Sequence, residues 1–288
     1  MSPVSASTGG PAAAGAIDWD LVRRQVAGIF RLELRRNLFG RRALALYFLA
    51  FAPVLLLALW AISPAPRQLM MNAPMDAVPL FAGLFEGYLR TSVFLSALIL
   101  FMSLFRSEIL QRSLHYYLLT PVRREVLVAG KYLTALVASC SVFAAATAAL
   151  FLLTFIPWGP GELLRFLFQG PGFGNLVAYV GIAVLGCAGY GAVFLLMGLF
   201  FRNPVVAAVV IWGWEAINFL LPPLLKKASV IFYLQSLYPV PLPAEIVSVL
   251  SEPISAWISV PGLLVFTLLV LALAGWRARR MEISYGGD

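Results

Sequence analysis

Side chains able to do chemistry are few in this chain and poorly placed for catalysis. It has one histidine, His115, and two cysteines, Cys140 and Cys187. A zinc site needs three or four His, Cys or acidic ligands brought together, and a nucleophilic triad needs a histidine beside its Ser or Cys. Neither is well supplied here. Both cysteines lie in apolar stretches, where they serve as small packing residues rather than as a disulfide framework. A phosphate-binding loop requires Gly, four residues, then Gly-Lys-Ser/Thr, so that backbone amides wrap the phosphates. The one Gly-Lys pair, Gly130-Lys131, has Glu125 in the first glycine's place and Tyr132 in the hydroxyl's. Nucleotide hydrolysis is therefore not expected of this chain, nor a metal or other cofactor bound by it. One acid stands out by its cost: Glu215, in Trp212-Gly213-Trp214-Glu215-Ala216-Ile217-Asn218, set in a long apolar stretch.

The composition explains that setting. Hydrophobic residues make up 61% of the 288 residues and charged ones 12%, with a mean hydropathy of +0.89. Soluble domains carry about 25% charged residues. The chain reads as an all-α, polytopic integral membrane protein: a disordered tail over 1–17, then a single membrane domain over 18–288. Spans of about 20 residues, as a bilayer requires, are expected near 43–62, 89–105, 132–157, 175–201, 204–222 and 256–276. A Pro- and Met-containing loop is expected over 63–88, and a Gly/Pro-rich loop over 159–174 with a short surface helix at 163–168. Pro222-Pro223 must break or kink the fifth span. Residues 224–256, with prolines at 239, 241, 243 and 253, read as short helices dipping at the membrane surface.

In this frame Glu215 lies about 11 residues into the fifth span, roughly 16 Å deep and near the bilayer centre. A carboxylate there must face protein or water, or be protonated. With Trp212, Trp214 and Asn218 it forms the wall of a substrate path or a dimer contact, or else it only ties helices together through hydrogen bonds. In the fourth span, Ala183, Cys187 and Gly191 make a small-residue ridge that allows close helix packing.

The charges gather in a few polar segments. Over 18–42, Val22, Val26, Phe30, Leu34 and Leu38 recur every fourth residue, while seven arginines (23, 24, 31, 35, 36, 41 and 42) line the rest. Such a helix lies in the membrane interface, apolar face toward acyl chains and arginines among anionic headgroups. Over 106–131, Leu110, Leu114, Tyr117 and Leu118 form one apolar helical face opposite Gln111, Arg112 and His115. Thr120 and Pro121 then read as the N-cap and first residue of a new helix running into the third span. With the N-terminus inside, sixteen of the 21 Lys and Arg fall on inner segments. By the positive-inside rule both termini and the 106–131 segment are cytoplasmic, in a cell (inner) membrane. The net charge of +8 is largely this topology signal, and nucleic-acid binding is not implied.

At this point the chain resembles the permease subunits of type-2 ABC transporters, mostly exporters. The resemblance rests on the basic N-terminal helix, the six spans and the 106–131 loop. In that loop Glu108, Ser113-Leu114, Leu118-Leu119-Thr120-Pro121-Val122, Arg123-Arg124 and Gly130-Lys131 match the family's motif. Arg112, where a glycine is common, and the bulky His115-Tyr116-Tyr117 depart from it. The resemblance implies that the loop is a coupling helix seated in a groove of a separate ATP-binding cassette subunit, which carries ATP and Mg. It also implies a dimer with a second permease copy or paralogue. Leu114, Tyr117 and Leu118 would be the apolar anchors of such a helix in its groove. Arg112, Arg123 and Arg124 would pair with acids of the partner, and Thr120-Pro121 would make the link into the third span rigid. The cargo implied is hydrophobic or amphipathic, because the spans hold so little charge.

Three other classes compete. A proton-coupled secondary transporter could use Glu215, but no convincing internal repeat accompanies it. A membrane-embedded hydrolase lacks its metal cluster or paired acids. A non-transport membrane assembly protein would leave the 106–131 motif unexplained.

Overall fold

The structure, a computed structural model, describes residues 28, 30, 34–62, 77–110, 124–201, 203–218, 222–240 and 255–280, without the side chains at 41, 42, 105–110, 124 and 223. The tail at 1–17, most of the expected interfacial helix and the loop residues 111–123 lie outside it. Among the described residues no strand occurs, and the elements are helices. Five apolar stretches are long enough to cross a bilayer: Ala43–Ile62, Val78–Leu104, Glu125–Trp158, Gly172–Phe200 and Ala256–Arg279. The chain is a multi-pass membrane protein.

Helix α1, Arg41–Ile62, buries only one stripe, Leu46, Ala50 and Val54, and exposes Leu55, Leu56, Leu59 and Ile62. The next crossing is longer than hydropathy implies. Helix α2, Val78–Tyr88, continues through a π-helical turn, Leu89–Val93, into α3, Phe94–Leu110. Residues 78–88, expected as loop, are thus helical. Val78, Phe81, Ala82, Phe85 and Tyr88 form a buried stripe, and Pro79 sits in the first turn, where its missing N–H costs nothing. What hid the helix is its polar pair, Glu86 and Arg90, which depresses local hydropathy yet bonds across one turn at 2.5 Å.

Helix α4 runs Arg124–Phe155 and α5 is the short Pro160–Phe168. Helix α6, Gly172–Phe200, is the centre of the bundle and packs against α3 and α4. Its small residues make this possible. Ala183 and Cys187 are buried, and a Cβ on Gly191 would lie 2.6 Å from the Phe101 ring of α3. At the end where α6 begins, aromatic rings fill the space between helices. Tyr179 meets Phe81 at 4.8 Å and Phe85 at 4.9 Å, centroid to centroid, and Phe155 meets Phe166 of α5 at 4.7 Å.

Helix α7 covers only Pro204–Ala216, opened by Asn203, whose Oδ1 accepts the Val205 amide at 2.9 Å. The continuous span expected over 204–222 is therefore not present as one helix. Thirteen residues rise about 20 Å, against a hydrocarbon core of about 30 Å. Two short helices follow, α8 at Pro223–Lys226 and α9 at Val230–Gln235. Helix α10, Ala256–Arg279, closes the bundle against α6, α4 and α9.

The Gly191–Phe101 contact gives a direct test of this packing. Gly191→Ala should destabilise the protein by about 1–3 kcal/mol, the usual cost of overpacking. Gly181→Ala, on the same helix with open space around its Cβ position, should be neutral or stabilising. Thermal melting of both variants in detergent reads the difference.

Candidate functional site

The break between α7 and α9 is where this bundle departs from simple crossing helices. Pro222 and Pro223 supply two successive residues without an N–H, and Pro223 becomes the first residue of α8. Such a break creates new orphans, because the opening amides of α9 have no helical partner. Glu215, in the last turn of α7, takes them. Its Oε1 accepts the Val230 amide at 3.0 Å, and its Oε2 accepts the Ile231 amide at 3.3 Å and the Ser229 hydroxyl at 2.5 Å. Its carboxyl oxygens also lie at the N-terminal, positive end of α9. Glu215 thus lies beside the start of α9. Helix α9 is then seated on two glycines. A Cβ on Gly189 of α6 would lie 2.8 Å from Val230, and one on Gly262 of α10 would lie 2.7 Å from Tyr233.

A second carboxylate holds the other end. Glu86 Oε1 accepts Arg90 Nε at 2.5 Å and Gln235 Nε2 at 2.9 Å, and Oε2 accepts the Tyr238 hydroxyl at 2.6 Å. Burial, then the facing Glu86 charge, pushes the Tyr238 phenol well above its ordinary pKa. The phenol therefore stays a donor throughout the physiological range. Ser236 adds a 2.6 Å hydroxyl contact to Ser259 of α10. Helix α9 is short, but both its ends are fixed to other helices by side chains.

Beside the break lies a crevice of about 240 Å³ between α6, α7 and α10, lined by residues such as Val193, Met197, Val210, Trp214, Phe266 and Val270. Glu215 forms part of its wall, but its oxygens are already engaged by three donors. The lining is hydrocarbon in character, suited to an apolar group. Among the described residues no cluster of His, Cys, Asp and Glu could hold a metal ion.

The residues singled out from the sequence fare differently. Trp214 and Glu215 meet at the crevice. Trp212 points away and is 61% exposed. Asn218 is buried, with its Nδ2 unpartnered. Of the coupling residues, Glu108 falls in the last turn of α3 and Arg124 opens α4. Arg112, Leu114, Tyr117, Leu118, Thr120, Pro121 and Arg123 lie outside the described residues. Sequence reasoning missed Glu86, Arg90, Gln235 and Tyr238. The signal that could have found the first two is a Glu–Arg pair at i, i+4 spacing continuing an apolar helical stripe. No protein-family model matches the chain, and no characterised protein or solved structure is significantly similar to it.

Two stability predictions follow from the clamps. Glu215→Ala should cost about 1–3 kcal/mol for each buried amide left without an acceptor, whereas Glu215→Gln, which keeps one acceptor oxygen, should lose less. Tyr238→Phe removes a single hydrogen bond to a carboxylate and should cost about 1.5–3 kcal/mol. Melting curves in detergent measure both. Hydrogen exchange at the α9 amides should rise in each variant.

Proposed function

We propose that the chain is the membrane-spanning permease subunit of an ABC transporter, working as a dimer and exporting a hydrophobic or amphipathic substrate. A separate ATP-binding cassette subunit supplies ATP hydrolysis. The observation that carries the reading is the motif from Glu108 to Lys131, lying between two long apolar helices. A basic, amphipathic segment with a Thr-Pro restart at that position has the chemistry of an element that docks in a partner's groove and pushes on a helix.

The geometry around the motif supports it. Glu125, one residue into α4, pairs with Arg279 near the end of α10. The start of α4, which the motif leads into, and the end of α10 therefore share one end of the bundle. Six crossings follow if α7 and α9 act as one broken crossing. Together they rise about 29 Å, close to the thickness of the hydrocarbon core. The Ser236–Ser259 contact brings the end of this pair beside the start of α10. An even number of crossings puts both termini on one side, and the Lys and Arg bias makes that side cytoplasmic. The apolar crevice supports an apolar cargo. The full engagement of Glu215 argues against its use as a proton carrier, which needs a freely exchanging carboxyl group.

The test is purification of the tagged protein in mild detergent from its own host, with an assay for co-purifying ATPase. Wild type should bring down a nucleotide-binding subunit, and Arg123→Glu with Arg124→Glu should lose it. Tyr117→Ala with Leu118→Ala should abolish transport while leaving membrane insertion intact. Absence of any ATPase under conditions that preserve such complexes would overturn the proposal.

A further inference from the structure

The end of α10 divides its arginines between two faces. Arg279 pairs with Glu125 of α4, and the Gly275 Cβ position lies 3.5 Å from the same glutamate side chain. Arg277 and Arg280 are three residues apart and so share another face. The Arg277 guanidinium carbon lies 5.2 Å from the Phe200 ring centroid, and that of Arg280 lies 4.2 Å from Trp276. Among the described residues no carboxylate pairs with either arginine. Arg277 Nε is buried and has no hydrogen-bond partner. Phe200 and Trp276 are each about half exposed, as aromatic side chains are at a membrane interface.

The apolar crevice begins just beyond this pair. Met197 precedes Phe200 by three residues and Val270 precedes Arg277 by seven, so the nearest walls start about 5–10 Å from the guanidinium level. Val193 and Phe266 extend it by a further turn toward Trp214. Two cationic heads that no described carboxylate neutralises, next to an apolar slot parallel to the helices, complement an amphiphile with an anionic head.

We propose that Arg277, Arg280 and the crevice between α6, α7 and α10 form one binding site for an anionic phospholipid. The headgroup phosphate sits on the two guanidinium groups and one acyl chain lies in the crevice. Guanidinium matches phosphate geometry through paired N–H donors. The chain fills apolar space that water would not favour. This site stands whether or not the protein is a transporter.

The test uses the full-length protein in phosphatidylcholine nanodiscs doped with a lipid carrying a photoreactive diazirine on its acyl chain. One arm uses a phosphatidylglycerol head and the other a phosphatidylcholine head, with labelled peptides mapped by mass spectrometry. The anionic probe should label residues 193–197 and 266–270 about tenfold more than the neutral one, from roughly one factor of several per arginine near the surface. Labelling of Leu55 and Leu59 on the exposed face of α1 should not depend on the head. Arg277→Gln with Arg280→Gln should remove the excess. Val210→Trp, which blocks the crevice from an exposed position on α7, should lower the labelling with both arginines intact, and it carries the test if the double variant fails to fold. Equal labelling by the two heads, or labelling insensitive to the arginines, would overturn the proposal. Displacement by millimolar inorganic phosphate would mean an anion site without a lipid, and would overturn it too.

Discussion

A backbone amide in an apolar interior must find an acceptor, and this bundle is arranged around one place where the helix cannot provide it. Continuous helices satisfy their own amides, which is why they cross membranes at all. Between α7 and α9 that continuity is lost after Ala216, and Glu215 supplies what the missing turn would have supplied. It accepts two amides and a hydroxyl within one short stretch. The acid is costly to bury alone, and the amides are costly to leave unpaired. Each offsets the other, so the most improbable residue in the apolar stretch is also the one that permits the break.

Close packing follows from the same break. Helix α9 is only six residues long and buries little by itself. It lies against α6 and α10 because glycines at 189 and 262 leave room for Val230 and Tyr233. At its far end Glu86 gathers Arg90, Gln235 and Tyr238, next to the rings of Phe85 and Tyr179, each 5.9 Å from Tyr238. The two carboxylates therefore hold α9 from helices far apart in sequence. Small residues on α6 and aromatic residues on α2, α4 and α5 are two sides of one solution: one removes volume where helices must touch, the other adds it where they splay.

The opposite end of the bundle is organised by charge. One arginine of α10 is neutralised by Glu125, which fixes α10 to the start of α4. Two others lean on aromatic rings beside an apolar crevice. Adjacent positions on one helix thus meet different chemistry because helical geometry turns successive side chains in different directions. The acid-paired face adjoins the start of α4, while the aromatic face adjoins the crevice.

Much was legible in the residues themselves. Membrane character, the all-helical fold, and the approximate limits of α1, α4, α6 and α10 all follow from composition and from apolar runs, which are local properties. So did the small-residue ridge at Ala183, Cys187 and Gly191, whereas the fifth span, expected to reach Pro222-Pro223, ends at Ala216 instead. Other features needed the fold. Residues 78–88 resembled a loop because Glu86 and Arg90 lower hydropathy, and only their pairing and the distant partners Gln235 and Tyr238 make burial acceptable. The stop of α7 at Ala216 is a matter of where the α9 amides come to rest. The position of Glu215 showed that it needed partners, but which partners it has depends on Ser229, Val230 and Ile231 folding back onto it. Hydropathy and periodicity add up along the chain, so sequence alone determined the crossing helices. A buried charge is tolerated only through its neighbours in space, so only the tertiary structure decided what each buried charge does.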